Sequence, residues 1–197
     1  VIYINRFYAT MPPKIKITKQ NILEQALRLV RERGVAALTA KSLAEALNCS
    51  TQPIFWQFEN MDALKRAIFA EAMAIFGRAL RRENDCESRY MSVGLNYIRF
   101  AIEERELFRM LFMSDFGKTD LVGAAVEMEY VLSVIEEAEH ISGPKAQIIY
   151  KDMWLFSHGI AAMLAAETAN FTEQEIRGML SDVCRGLISI LDRKSTE

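Results

Sequence analysis

The chain has 197 residues, of which 51% are hydrophobic and 25% are charged, which is the balance of an ordinary globular protein. It contains only nine glycines and four prolines, fewer turn formers than a protein of many short strands needs. The three cysteines stand far apart and fit neither a disulfide framework nor a CxxC metal site. No apolar run reaches the ~18 residues of a membrane span. We therefore expect an all-α cytoplasmic protein without a metal or another cofactor.

Charge is distributed unevenly along the chain. Residues 1–83 hold 13 Lys and Arg against 7 Asp and Glu, whereas residues 84–197 hold 11 against 19. A basic first half on an acidic remainder indicates that one end of the molecule approaches a polyanion. A Pro/Lys-rich stretch typical of a start begins at Met11. We therefore expect residues 1–10 to be either an upstream extension or a non-native remnant, and residues 1–17 to form an arm outside the folded part.

Three short helices are predicted at the start of the folded part. Thr18 is a capping residue followed by apolar residues at helical spacing. The first helix is expected to end at Gly34 in the left-handed conformation. Thr39 caps a second short helix and Ser50 a third. Two short helices joined by a tight turn make a helix-turn-helix, so residues 18–60 are interpreted as a DNA-binding domain.

The rest of the chain, residues 61–197, is expected to form a helical ligand-binding and dimerisation domain. Asn60 caps a long fourth helix, which we interpret as the connector between the two domains. Apolar positions keep the helical period beyond it, so the whole chain predicts about nine helices and no strands. The later boundaries expected are a helix over 121–139, a helix from Pro144 to about 168, and a last helix opened by the capping box of Thr172 and Glu175.

The third helix has the side chains that a recognition helix needs. Polar residues at its N-terminus can meet base edges, and an apolar back formed by Ile54 and Phe58 can pack on the preceding helix. The indole N–H of Trp56 can donate to a phosphate. The residues expected to contact DNA are Thr39, Lys41, Ser50, Thr51, Gln52, Phe55, Trp56 and Gln57.

Three of these residues also have a purely structural interpretation. Phe55 and Trp56 could pack as a hydrophobic staple under the first helix instead of facing DNA. Thr39 is a helix cap under either interpretation, and its hydroxyl cannot serve the cap and a phosphate fully at once.

Residues 38–64, LTAKSLAEALNCSTQPIFWQFENMDAL, resemble the signature of the tetracycline-repressor (TetR) family. In that signature a Thr-capped helix precedes a recognition helix containing L-Y-x-H-F, which reads IFWQF here. The family's phosphate-binding Tyr is Phe55 in this chain, its His is Gln57, and the Lys that usually begins the fourth helix is Met61. Each change removes a phosphate donor or a charge, so we expect weaker non-specific DNA affinity than is usual in the family.

The resemblance implies a homodimeric transcription regulator, released as a repressor from a pseudo-palindromic operator by a small, mostly apolar effector. Residues 153–164, MWLFSHGIAAML, also resemble the W-x-x-x-H-G element of the family's C-terminal domains. Met and aromatic stripes are more often ordinary core than binding sites. The residues that we expect to line an effector cavity are Met110, Met113, Phe116, Met128, Trp154 and His158.

Small residues in the last two long helices, such as Gly159 and Gly186, predict a dimer interface there, with internal packing as the alternative. The other functional class considered is a helical ligand-binding protein without sequence-specific DNA binding. An enzyme is not expected. The sequence has only two histidines, no glycine-rich phosphate loop and no pair of carboxylates placed for acid/base chemistry.

Overall fold

The computed structural model describes residues 17–86, 88–116 and 127–193. Over these ranges the chain forms nine α-helices, one 3₁₀ turn and no strand, which confirms the all-α prediction. The expected arm lies outside the described residues except for Ile17, and so does the first part of the helix expected over 121–139. The helices are α1 (Lys19–Arg33), α2 (Ala40–Ala46), α3 (Gln52–Gln57), α4 (Met61–Leu80), α5 (Arg89–Glu103), α6 (Arg105–Phe112), α7 (Met128–Glu139), α8 (Gly143–Ala165) and α9 (Glu173–Arg193), with the 3₁₀ turn at Val35–Ala37.

Helices α1, α2 and α3, which we name the head, pack around one small apolar core. Thr18 and Thr39 cap α1 and α2 as predicted, each accepting a hydrogen bond from the backbone N–H three residues later. Ile22, Leu43 and Ile54, one from each helix, are fully buried. Burial of these three side chains fixes the angle at which α3 is held against α1 and α2.

The predicted start of α3 is wrong by one residue. The helix begins at Gln52 rather than after Ser50, and the side chain of the preceding Thr51 makes no capping hydrogen bond. Pro53 stands in the first turn of α3, where its fixed φ suits a helix start and its missing N–H leaves one fewer donor to satisfy. Residues 47–51 therefore form the turn between α2 and α3.

Gly34 ends α1 in a conformation that differs from the predicted one. Its φ of 75° is positive as expected, but its ψ of 168° is extended and not left-handed helical. A Cβ at this position would lie 2.9 Å from Oε2 of Glu106 on α6. The end of the Glu106 side chain could move aside, so it is the positive φ of the backbone that requires glycine here.

Helix α4 connects the head to helices α5 to α9, which we name the body. Asn60 caps it as predicted, accepting from the backbone N–H of Ala63 at 2.9 Å. Helix α4 packs against α1 of the head and against α5 and α6 of the body. Its C-terminal end is held by Asn96, a residue of α5 that is 3% exposed. The side-chain Nδ2 of Asn96 donates to the carbonyl oxygens of Leu80 and Arg82, at 3.2 and 2.7 Å.

Helix α5 is the centre of the body, since it packs against α4, α6, α7, α8 and α9. Helix α8 ends at Ala165, earlier than the predicted end near residue 168, because Glu167 adopts a positive φ of 58° that turns the chain. Pro144 is the second residue of α8. The predicted capping box of α9 is confirmed, with Thr172 and Glu175 exchanging hydrogen bonds. Within the described ranges, every helix is too short or too polar to cross a membrane.

Candidate functional sites

The outer surface of the head presents all eight residues expected to contact DNA, and each of them is exposed. On α3 the two faces separate as predicted: Ile54 is 0% and Phe58 4% exposed, whereas Phe55 is 42% and Trp56 71% exposed. These exposures contradict the interpretation of Phe55 and Trp56 as a staple under α1. The head therefore offers two aromatic side chains and a row of short polar ones to a partner.

Two of the eight residues also have contacts within the protein. The hydroxyl of Thr39 accepts from the backbone N–H of Ser42 at 3.1 Å and lies 2.9 Å from the Ser42 hydroxyl, so it is engaged as a cap. The side-chain amide of Gln57 donates to the carbonyl of Ile17 at 3.5 Å. That long contact is weak and lies where the chain enters α1.

The body contains two adjoining cavities. The inner cavity, about 50 Å³, lies between α4, α5, α7 and α8, and the outer cavity, about 170 Å³, lies between α5, α7, α8 and α9. Tyr90, Gly94 and Met153 line both of them. The side chains with polar atoms among the lining residues of the inner cavity are all neutral, namely Tyr90, Tyr97, Tyr150, Trp154 and Ser157.

An aromatic cluster borders the inner cavity through Phe76 and Tyr97. The ring of Phe76 on α4 lies 5.1 to 5.3 Å from the rings of Tyr97, Phe100 and Phe112, in edge-to-face geometry. Such pairs add to the stabilisation that burial alone provides. Because Phe76 also lines the cavity, a molecule bound there would touch the connector α4 directly.

His158 stands behind the inner cavity in a polar contact with Tyr97. The Tyr97 hydroxyl is 3.0 Å from Nδ1 of His158, and the indole of Trp154 stacks on the imidazole with centroids 5.4 Å apart. Burial raises the pKa of Tyr97 and lowers the pKa of His158. Tyr97 therefore keeps its proton at neutral pH and can donate it to Nδ1 of the uncharged imidazole.

Of the six residues that the sequence predicts to line an effector cavity, the structure brings only some together. Trp154 lines the inner cavity and His158 adjoins it, but Met110 is fully buried beside neither cavity, and Met113 is 45% exposed near the end of α1. Phe116 and Met128 lie at the two edges of the undescribed stretch 117–126 and line neither cavity.

The tyrosines of the cavity were missed as candidate site residues. Tyr90 and Tyr97 are seven residues apart in the apolar stripe of α5, a pattern that predicts a helix and by itself no binding site. Their spacing places them on one face. The sequence therefore shows that the two tyrosines share a face of α5, but it does not show which helices pack against that face.

A pair of salt bridges ties the junction of α5 and α6 to distant parts of the chain. Arg31 on α1 binds Glu104 through two hydrogen bonds, Nε to Oε2 at 2.7 Å and a terminal nitrogen to Oε1 at 2.8 Å. The next residue, Arg105, pairs with Glu167 just after the end of α8. The junction is thus bonded to the head on one side and to the far end of the body on the other.

The outer faces of α8 and α9 expose large apolar side chains, with Ile148, Leu155 and Met163 on α8 and Ile190 on α9 each 44 to 49% exposed. A Cβ placed on Gly159 or Gly186 would meet nothing within 4 Å, so neither glycine is needed for packing inside the chain. This combination is what a helical interface between two subunits needs.

Comparison with known proteins identifies relatives of the first part of the chain. Residues 22–68 match the family model of bacterial regulatory proteins, tetR family. The chain is also 24% identical over 111 residues to the uncharacterised HTH-type transcriptional regulator YvkB of Bacillus subtilis (strain 168). That alignment covers 56% of this chain and 59% of the relative, so the chain spans about three fifths of the length of the curated relative it matches.

Solved structures share the fold over most of the chain. A protein of unknown function from Rhodococcus sp. RHA1 superposes with a TM-score of 0.69 at 23% identity, covering 88% of this chain and 97% of that one. A TetR variant from Acinetobacter baumannii AYE, in complex with minocycline, gives 0.56 at 18% identity, with coverages of 90% and 98%. A TetR family transcription regulator from Marinobacter aquaeolei VT8 gives 0.57 at 18%, with coverages of 81% and 90%.

Proposed function

Since residues 22–68 match the family model of bacterial regulatory proteins, tetR family, we propose that the chain is a homodimeric repressor of that family. It binds a pseudo-palindromic operator and leaves it when a small molecule occupies the body. The observation that carries the DNA-binding part is the division of α3 into a buried back and an exposed face, because an α-helix held in this way can enter a major groove. We propose residues 18–60 as the DNA-binding domain and residues 61–197 as the effector-binding and dimerisation domain.

On the exposed face of α3, position along the helix separates base contacts from backbone contacts. Gln52 begins the helix, and an amide side chain can pair with both N6 and N7 of adenine. Trp56 lies one turn later and has a flat ring with one N–H donor, which suits the sugar-phosphate backbone. Gln52 therefore selects sequence, and Trp56 adds affinity for any duplex.

Dimerisation supports this arrangement through the outer faces of α8 and α9. Two subunits packed there as a four-helix interface would cover the exposed apolar side chains of both helices. The two recognition helices of a two-fold dimer can then reach successive major grooves, ~34–36 Å apart.

Release by an effector is supported by the position of α4, which lines the inner cavity through Phe76 and also packs on α1. A ligand favours release only if it binds one arrangement of α4 more tightly than the other. A typical coupling would weaken operator binding about 5- to 150-fold, and operator DNA must weaken effector binding by the same factor.

The test of DNA binding is selection of a duplex from a random pool, followed by competition between the selected and random duplexes at physiological salt. We expect selective binding by the wild type, relaxed base preference in Gln52→Ala, and weaker binding to all duplexes in Trp56→Ala. The control is Gln174→Ala, an exposed glutamine at the start of α9, which should behave as wild type. Equal affinity for selected and random DNA would overturn the proposal and favour a ligand-binding protein without a DNA function.

The dimer is tested by Gly186→Arg in analytical ultracentrifugation. The added side chain meets open space in the subunit, so the fold should persist while the dimer dissociates and operator affinity falls. Ser133→Arg, at an exposed position of α7, is the control that should remain dimeric. A wild-type protein that is monomeric at micromolar concentration would contradict the proposal.

A further inference from the structure

We propose that the effector of this protein is a small amphipathic organic cation, whose apolar body occupies the two adjoining cavities while its protonated nitrogen lies beside Glu139 in the outer cavity. This inference rests on the proposed binding of an effector by the body, and it adds the chemical class of that effector. It follows from the three lining residues that the two cavities share and from the difference in the charge of their linings.

The two cavities adjoin at Gly94, which lines both of them. A Cβ on Gly94 would lie 3.4 Å from both methyl carbons of Leu180 and 3.8 Å from the hydroxyl oxygen of Ser157. Leu180 lines the outer cavity and Ser157 the inner one. These are ordinary van der Waals distances, so the two compartments lie in close contact at Gly94. A ligand that occupies both compartments needs the ends of the Leu180 and Ser157 side chains to move apart.

The inner compartment suits an uncharged apolar group. Among the residues that the structure describes, no charged side chain lines it, and its walls are mainly the rings of Phe76, Trp154 and three tyrosines. The imidazole behind it is held neutral by burial, which lowers the pKa of His158. An anionic or cationic group placed here would lose its hydration without gaining a charged partner.

The outer compartment contains one carboxylate whose charge is not balanced within the described part of the chain. Glu139 and Arg185 are its two charged lining residues. Arg185 pairs with Asp182 at 2.7 Å, and its side chain is 74% exposed, so water and a partner already screen its charge. Glu139 is less exposed and accepts a hydrogen bond from the Ser88 hydroxyl at 3.1 Å, with no cation paired to it in the described ranges.

The effect of this carboxylate extends across the outer cavity. Burial raises the pKa of the Cys184 thiol to about 11, and the negative charge of Glu139 contributes to that rise. Burial likewise raises the pKa of Tyr90, with smaller contributions from Cys184 and Glu139. Both groups line the outer cavity. The carboxylate of Glu139 disfavours negative charge on these two side chains, and for the same reason it would stabilise a positive charge on a ligand in this cavity.

Cavity size restricts the ligand further. At about 50 and 170 Å³, the two compartments together fall below the ~300–1,000 Å³ of pockets that hold drug-sized molecules. The ligand is therefore a short amine with one ring or a short chain, and not a large planar drug.

The experiment uses three probes of matched shape, 4-phenylbutylamine, 4-phenyl-1-butanol and 4-phenylbutanoate, titrated calorimetrically into the full-length wild-type protein at neutral pH. A hydrogen bond to a charged group predicts that the amine binds about tenfold or more tightly than the alcohol, and the carboxylate should bind most weakly. Glu139→Gln, which keeps the shape of the side chain, should remove the preference for the amine. Glu136→Gln, an exposed glutamate on the same helix, should keep it.

Three results would overturn the inference: no binding of any probe, equal binding of the amine and the alcohol, or an amine preference that survives Glu139→Gln. The inference would also be overturned if 4-phenylbutanoate bound most tightly and lost that affinity in Arg185→Gln, because the ligand would then be an anion. Because these titrations contain no DNA, each of these results is distinguishable from a failure of operator binding.

Discussion

The head and the body place their candidate functional residues in opposite ways. In the head all eight residues lie on the outside, within positions 39 to 57 of the sequence. In the body the cavity walls face inward and come from α4, α5, α7, α8 and α9. A surface that meets a long rigid partner can be built from one short segment, whereas a pocket that encloses a small molecule must be assembled by several helices.

The largest expected effect tests whether a side chain that lines the cavity of the body also stabilises its core. Phe76→Ala should lower the free energy of unfolding by about 3–5 kcal/mol, because it removes a fully buried ring from the centre of the aromatic cluster. Phe55→Ala, which removes a 42% exposed ring from the head, should change it by less than about 0.5 kcal/mol. Urea unfolding of both variants is the measurement. A similar loss of unfolding free energy in the two variants would contradict the contrast between body and head.

A smaller effect is expected at the salt bridge that joins the two regions. A double-mutant cycle on Arg31→Ala and Glu104→Ala should give a coupling energy of about 0.5–1 kcal/mol, because these side chains are 40% and 21% exposed and solvent screens them. The exposed pair Arg28 and Glu32 within α1 is the matched control, with about 0.3–0.5 kcal/mol expected. Both couplings should fall in high salt. A coupling no larger than that of the control would show that the bridge does not join head and body energetically.

The smallest effect is a pH dependence confined to the body. Burial lowers the pKa of His158 from its ordinary value of 6.5, so the unfolded chain binds more protons than the folded one between the two values. Stability from this group is therefore fully present above about pH 6.5 and is lost as pH falls toward the lowered pKa. Urea unfolding between pH 7.5 and 5.5 should show this loss in the wild type and a smaller one in His158→Asn.

Replacing the other histidine of the chain provides the control for that series. His140→Asn changes an exposed residue with a positive φ of 57°, a conformation that asparagine tolerates. It should retain the wild-type slope. An identical slope in His158→Asn and wild type would show that the imidazole behind the cavity does not contribute to the pH dependence.

The contrast between a head built from one short segment and a body assembled from several helices explains what could be predicted from the sequence. The caps at Thr18, Thr39 and Asn60 were predicted because each depends on a hydrogen bond to a residue three positions away. The expected cap at Ser50 was wrong because α3, with Pro53 in its first turn, begins one residue later than predicted. Local signals therefore describe the head almost completely.

The cavity could not be predicted in the same way. Helical periodicity shows which residues share a face, but it does not show which other helix covers that face. Met113 and Tyr97 both belong to apolar stripes, yet the first is exposed beside the head and the second is buried beside the cavity. Only the packing of α5 against five other helices separates them.

The two hydrogen bonds from Asn96 to the end of α4 determine how motion in the body would reach the head. A helix of 20 residues is about 30 Å long, and Asn96 fixes it at the end farthest from α3. A rotation of about 5° around that fixed end would move the other end by roughly 2.6 Å over this length. A small rotation of α4 at the cavity would thus move its N-terminal end, beside the recognition helix α3, by a distance comparable to the length of a hydrogen bond.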